Sequence, residues 1–263
     1  MKPNRVRQLL QQGAVPVGHM ISEFGTRGIA KILEAAGADF ALIDMEHSGM
    51  DLERVADLLA WFQATPVTPF VRVPQGLYHF VARVMDAGAL GVMVPNVESA
   101  EQARAVVRAA KYAPLGGRGV GLGVAHTDYV LPDPVSYFRE ANEQTMVLCQ
   151  IESVLGLENA DEIASVQGVD VLWVGHFDLT QSMGIPGEFT HPRFVDALAA
   201  VVAAAKTYGK AAGIQPGSLE QAREWLALGF SMLSFGSDVA VYRDALAGAL
   251  QAVRSVVTAG ARG

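Results

Sequence analysis

Short apolar runs alternate with helical stretches along this chain, repeating about every 25 residues. Eight runs qualify, at 15–20, 40–44, 68–73, 91–94, 147–151, 171–175, 211–214 and 232–235. Near-continuous apolar strands separated by helices mark a parallel sheet buried on both faces. Eight such units favour a closed (β/α)8 TIM barrel over an open doubly wound sheet. The chain has 263 residues and shows no linker or shift in composition. Residues 1–263 are therefore expected to form one barrel, with its site on the C-terminal rim of the strands.

The intervening segments carry helix signals. Asp51 and Ser99 stand where they cap helices over 51–63 and 99–110. Further helices are expected at 3–12, 29–36, 79–87, 157–166, 194–208, 219–228 and 239–257. Residues 111–144 read as one long irregular region, of the kind that is functional or mobile in a compact domain. Its GGRGVGLG stretch lacks the Lys-Ser/Thr of a phosphate loop and does not run from strand to helix. The last helix is apolar over more than one face, through Val239, Val241, Leu246, Leu250, Val253 and Val257. That width suggests a subunit contact.

Composition narrows the function. Hydrophobic residues make up 51% and charged residues 18%, so a large core is expected. A net charge of -7 and the lack of a Lys/Arg run argue against nucleic acid as the main partner. No apolar run approaches the ~20 residues of a membrane span, and no signal peptide is visible. The lone Cys149 reads as a buried strand residue and fits a reducing compartment. The expectation is a cytoplasmic protein.

Chemistry in such a barrel belongs to polar residues at strand C-termini. These are Asp44 and His47 after the second run, Arg72 in the third, Gln150 and Glu152 at the fifth, Asp178 after the sixth and Gln215 after the seventh. Glu152 and Asp178 end adjacent parallel strands of one β-α-β unit, forming a notch of hard oxygens suited to a divalent cation. Each acid could instead cap a helix or sit in its first turn. His47 could be a loop histidine. Arg72, inside a strand, faces either the barrel interior or the helices, and a buried arginine needs an anion.

Several stretches carry a resemblance: FALIDMEHSGMDLERV, FVRVP, GALGVMVPNVESAEQA, APLGGRGVG, QIES and the GxxDL of GHFDL. In order and spacing they resemble the HpcH/HpaI family of class II pyruvate aldolases, which includes 4-hydroxy-2-oxoheptanedioate and 2-keto-3-deoxy sugar-acid aldolases. The resemblance runs from about Val15 to Leu250. It implies metal-dependent cleavage of 4-hydroxy-2-oxo acids to pyruvate, or a close 2-oxo acid, and an aldehyde. The metal would be Mg²⁺, Mn²⁺ or Co²⁺, held by Glu152 and Asp178. It further implies that His47 is the catalytic base and that Asp44 orients its imidazole. Arg72 would contact the pyruvate oxygens and Gln150 would lie beside metal and substrate. Asp86 would approach the base across a subunit contact. A homohexamer, with a terminal helix exchanged between neighbours, is implied as well. No Schiff-base lysine is needed, and none of the lysines sits at an expected strand end.

Two departures concern substrate choice. Gly175-His176-Phe177-Asp178-Leu179 stands where the family often has Gly-Pro-Ala/Asn-Asp-Leu. The backbone amides there would meet the substrate carboxylate, and the bulk of Phe177 with the extra imidazole of His176 would narrow or repolarise that pocket. Gln215 adds an amide where small or apolar residues are usual, facing either a hydroxylated aldehyde or solvent. The nearest alternative is the same site acting as an oxaloacetate decarboxylase or a citrate-lyase-β-like enzyme. A non-catalytic 2-oxo acid binding protein is remoter, since Glu152, Asp178, His47 and Arg72 are all present.

Overall fold

The computed structural model describes residues 1–260. Eight parallel strands close into a barrel in chain order. They are β1 (Val17–Ile21), β2 (Phe40–Asp44), β3 (Thr68–Arg72), β4 (Gly91–Val94), β5 (Met146–Ile151), β6 (Val171–Val174), β7 (Ala211–Ile214) and β8 (Met232–Ser237). The helices are α1 (Arg5–Gln11), α2 (Ile29–Ala35), α3 (Leu52–Phe62), α4 (Tyr78–Asp86), α5 (Ala100–Ala110), α6 (Pro134–Gln144), α7 (Val154–Glu158), α8 (Ala160–Ser165), α9 (His176–Ser182), α10 (Pro192–Thr207), α11 (Leu219–Leu228) and α12 (Asp238–Gly260).

Side chains alternate between two cores, as strand geometry requires. Ala41, Ile43, Val71, Val92, Val147, Cys149, Leu172 and Val174 point outward into the helix-covered core. Phe40, Leu42, Phe70, Met93, Met146, Leu148, Val171, Trp173 and Met232 fill the barrel. Three inward aromatics lie against glycines of the neighbouring strand: Phe40 on Gly18, Phe70 on Gly91 and Trp173 on Gly213. A Cβ at any of those glycines would collide with the ring. Val6 of α1 belongs to the interior cluster. Buried Asn4 binds the carbonyls of Leu90 and Gln144, just before β4 and β5 begin. Helix α1 therefore closes the end of the barrel opposite the strand C-termini.

Two expectations need correction, and one open alternative is decided. Residues 111–144 are not wholly irregular: a 3₁₀ turn spans Ala125–Thr127 and α6 spans Pro134–Gln144. The Asp133 carboxylate accepts from the Ser136 amide, and Pro134 in the first turn starts the helix. The single helix expected at 157–166 is two, α7 capped by Ser153 and α8, with the break at Asn159. The loop after β6 folds into α9, which puts Asp178 in a helical first turn.

The last helix departs from the barrel wall. Asp238 is buried and its carboxylate accepts from the amides of Ser22, Glu23 and Phe24 at 3.0, 2.9 and 2.6 Å. Burial opposes its charge, but these amide bonds win and hold it below the usual carboxylate range. Beyond that anchor, residues 241–258 are exposed, including apolar Leu246, Leu250 and Val257. An apolar groove of about 610 Å³ opens beside them, lined by Phe24, Ile29, Ile32, Leu33, Val241 and Tyr242. Among the described residues no helix is long and apolar enough to cross a membrane.

Candidate active site

Strand parity decides which polar residues reach the barrel mouth. Asp44 continues the inward series of Phe40 and Leu42, and Arg72 follows Phe70. Gln150 follows Met146 and Leu148, and Gly175 follows Val171 and Trp173. The β2–β3 register sets Asp44 directly beside Arg72. Two hydrogen bonds join them, Arg72 Nε to Asp44 Oδ1 at 2.8 Å and Arg72 Nη2 to Asp44 Oδ2 at 2.7 Å. This forked pairing fixes the plane of the guanidinium. Arg72 thus points into the barrel, and its anion is Asp44, with Glu46 Oε2 also 3.1 Å from Nη1.

Asp44 does not hold the His47 imidazole, contrary to expectation. Its Oδ1 accepts instead from the backbone amides of Glu46 at 3.0 Å and His47 at 3.4 Å. The Ser48 hydroxyl closes the turn onto the Asp44 carbonyl. The His47 side chain is 65% exposed, and the acid beside its Nε2 is Glu46, at 3.8 Å.

Glu152 lies just past β5, with its residue 3% exposed. Its Oε1 accepts from the Asn96 amide at 2.7 Å, and its Oε2 accepts from the Gln150 side-chain amide. Asn96 adopts a left-handed backbone (φ 52°) to present that amide. Gly175 closes in from β6, where an added Cβ would strike Glu152 Oε2 and sit 2.9 Å from Gln150 Nε2. Burial pushes the Glu152 carboxyl up to about 7; the bonds from Gln150 and Asn96 offset this in part, and the charges of Glu46 and Asp178 add to it. Burial likewise raises Glu46, against Arg72, with Asp44 and Asp178 pushing the same way as burial. The mouth therefore gathers more carboxyl groups, those of Asp44, Glu46, Glu152 and Asp178, than Arg72 alone can pair.

Other expected site residues fall elsewhere or at the margin. Phe177 is 64% exposed, its ring edge-on to Phe189 at 4.9 Å. Gln215 is half-buried at the end of β7. Asp86 ends α4, where the chain turns back into β4, so it lies at the opposite end from its own His47. There it accepts from Arg118 Nε at 3.1 Å and Nη2 at 2.5 Å. His176 packs among Phe177, Phe189 and Trp225, and burial lowers its imidazole to about 4, so it is a neutral aromatic wedge. Among the described residues no group of three or more His, Cys, Asp or Glu is arranged to hold a metal ion.

Glu46 and Asn96 were not singled out from sequence. Glu46 looked like exit-loop filler two residues after Asp44. Asn96 follows Pro95 at a strand end, and a non-glycine residue in a left-handed turn leaves no mark in composition.

Known proteins show the same arrangement of strands and helices. The HpcH/HpaI aldolase/citrate lyase family model matches residues 25–245. A hydroxypyruvate/pyruvate aldolase of Pseudomonas aeruginosa is 35% identical over 243 residues, covering 92% of this chain and 90% of the relative. A 2-keto-3-deoxy-L-rhamnonate aldolase of Salmonella gallinarum is 34% identical over 254 residues, covering 96% and 94%. The crystal structure of an HpcH/HpaI aldolase from Desulfitobacterium hafniense DCB-2 superposes with a TM-score of 0.90 at 32% identity, covering 95% and 96%. The chain belongs to the HpcH/HpaI aldolase/citrate lyase family.

Proposed function

We propose that the protein is a class II pyruvate aldolase, reversibly cleaving 4-hydroxy-2-oxo acids to pyruvate, or a close 2-oxo acid, and an aldehyde. The observation that carries this reading is one rim with a guanidinium fixed by Asp44 beside the buried Glu152 carboxyl. Arg72 presents fixed positive charge to the oxygens of a 2-oxo acid. His47, exposed at the same mouth, takes the proton of the 4-hydroxyl. As that proton leaves, the C3–C4 bond breaks, the aldehyde departs and the electron pair stays on the 2-oxo fragment as an enolate, and return of a proton to C3 gives pyruvate.

The residues fit a divalent cation. Gln150 Oε1 is buried without a hydrogen-bond partner, and Glu152 is crowded by Glu46 and Asp178. A hard cation relieves both conditions. Glu152 and Asp178 would hold it, leaving positions for water and for substrate oxygens. Bound there, it supplies Lewis-acid charge next to the 2-oxo group. Gln150 and the amides of His176 and Phe177 then orient the substrate carboxylate, the Gly175 amide being bonded to the Ile151 carbonyl at 3.1 Å, and Gln215 borders the aldehyde side.

The exposed apolar α12 and the groove beside it support a homo-oligomer, in which α12 packs on a neighbouring copy. The place of Asp86, far from its own His47, is compatible with its meeting a neighbour's base.

The test is pyruvate release from a panel of 4-hydroxy-2-oxo acids, with chelator and then with Mg²⁺, Mn²⁺ or Co²⁺ restored. Metal-restored cleavage that His47→Ala and Asp178→Ala both abolish supports the reading. Cleavage that survives chelator and both substitutions overturns it. Oxaloacetate decarboxylation without aldol cleavage would transfer the assignment to the decarboxylase.

A further inference from the structure

We infer that Asn96 is the positioning residue for the Glu152 carboxylate, and that it acts through its left-handed backbone and amide rather than through its side chain. Among the described residues three non-glycine positions have positive φ. Asp128 and Tyr129 are neighbours in the loop before α6. Asn96 lies on the barrel rim, two residues past β4, at φ 52°. Such a conformation is costly for a residue with a Cβ and persists where surrounding contacts demand it.

The contacts that demand it come from β5. Val94 ends β4 opposite Cys149. Pro95 follows and has no N–H to donate. The next two amides both reach the end of β5. The Asn96 N–H donates to Glu152 Oε1 at 2.7 Å, and the Val97 N–H donates to the Gln150 carbonyl at 3.1 Å. A left-handed residue turns successive amides toward one acceptor region, as in backbone anion nests. Gly156 of α7 packs against the same turn, where a Cβ would sit 2.9 Å from the Val97 carbonyl oxygen.

Glu152 has two side-chain oxygens to place and one other donor. Gln150 donates to Oε2, but it leaves the same strand end two residues earlier, so that bond alone lets the pair swing together. Asn96 ties Oε1 to a different strand. One donor on each oxygen fixes the carboxylate plane, and each oxygen keeps a second lone pair for a cation. The Asn96 residue is exposed, and the bond to Glu152 uses none of its side-chain atoms. Asparagine suits the position because it enters the left-handed region more readily than most residues with a Cβ.

The metal arm of the test rests on the reading of Glu152 as a cation ligand, whereas the exchange arm does not. Calorimetry with Mn²⁺ alone compares the wild type, Asn96→Gly and Asn96→Val. Glycine adopts positive φ freely and valine strongly resists it. Asn96→Gly is therefore expected to bind Mn²⁺ within about threefold of the wild type. Asn96→Val should bind about 10- to 100-fold more weakly. If Asn96→Val does not fold, Asn96→Ala takes its place, with an expected loss of about 5- to 30-fold. Equal losses in the glycine and the β-carbon variants would assign the effect to the side chain and overturn the inference. Wild-type affinity in Asn96→Val, or in Asn96→Ala where that variant replaces it, overturns it too.

In the exchange arm, hydrogen exchange at the residue-96 amide of metal-free protein reads the bond itself. Protection of about tenfold or more is expected in the wild type and in Asn96→Gly, and its loss is expected in Glu152→Ala. Protection that survives in Glu152→Ala shows that the carboxylate is not the acceptor and overturns the inference. Loss of protection in Asn96→Gly does the same, and that variant serves if Glu152→Ala does not fold. A wild type that binds no Mn²⁺ would refute the metal reading, and exchange at residue 96 would still decide whether Asn96 holds Glu152.

Discussion

Arg72 owes its position to one acid. Asp44 is 1% exposed and its charge is met by the two guanidinium bonds. Arg72→Met would leave that carboxylate buried and unpaired, at a cost of about 3–5 kcal/mol. Urea denaturation should read this loss, and Asp44→Asn combined with Arg72→Met should recover part of it. Gly175 is a second residue with no latitude, because any side chain there enters the space of Glu152 Oε2. Gly175→Ala is expected to fold, to weaken divalent-metal binding measured by calorimetry, and to lower turnover by about 100-fold or more, as displacements near 1 Å do. Metal affinity equal to wild type would show that Glu152 is not a ligand. The glycine is legible in the sequence as the end of an apolar run, but the reason it must be glycine is a contact across the β5–β6 boundary.

At the scale of elements, the end of β5 concentrates the electrostatic stress. The Glu152 carboxyl is raised on folding from 4.5 to about 7, chiefly by burial. An acid with higher proton affinity in the folded state stabilises that state while protonated. The contribution is full below the unfolded-state value and is lost as pH climbs through the folded one. Metal-free protein should therefore lose melting temperature between about pH 5 and pH 7.5, and Glu152→Gln should flatten that slope. Divalent metal should raise the melting temperature more at about pH 7.5 than at pH 5.5, where protons compete for the same oxygens. Differential scanning calorimetry at several pH values checks all three expectations. Element boundaries were well marked in the sequence where a cap stood, as at Asp51 and Ser99. They were obscured at α6, inside the stretch 111–144 that read as irregular, and at α9, where the first turn carries the site acid itself.

At the scale of the whole molecule, α12 is the unresolved debt of the monomer. Its apolar residues reach solvent, Val257 at 66% exposure, while a groove lined by α2 and the first turns of α12 stays open. Surface of this kind is normally covered. Sedimentation should show an oligomer, and Leu246→Glu with Leu250→Glu should shift it toward smaller species. If the neighbour also supplies Asp86, the same variant should lose activity with little change in secondary structure. A monomeric wild type would refute the assembly.

The barrel was determined by the sequence alone, because eight apolar runs at regular spacing leave one economical way to bury both faces of a parallel sheet. Strand ends likewise marked Asp44, Arg72 and Gln150 as rim candidates, but their inward phase, shared with Phe40, Phe70 and Leu148, was decided only in the closed barrel. Tertiary structure alone decided the partners. The β2–β3 register gave Arg72 to Asp44, and Asp44 was thereby taken from His47. Barrel closure brought Asn96 and Gly175 onto Glu152 from two different strands. Pairings of this kind depend on distances between residues far apart in the chain, and those distances exist only once the strands have met.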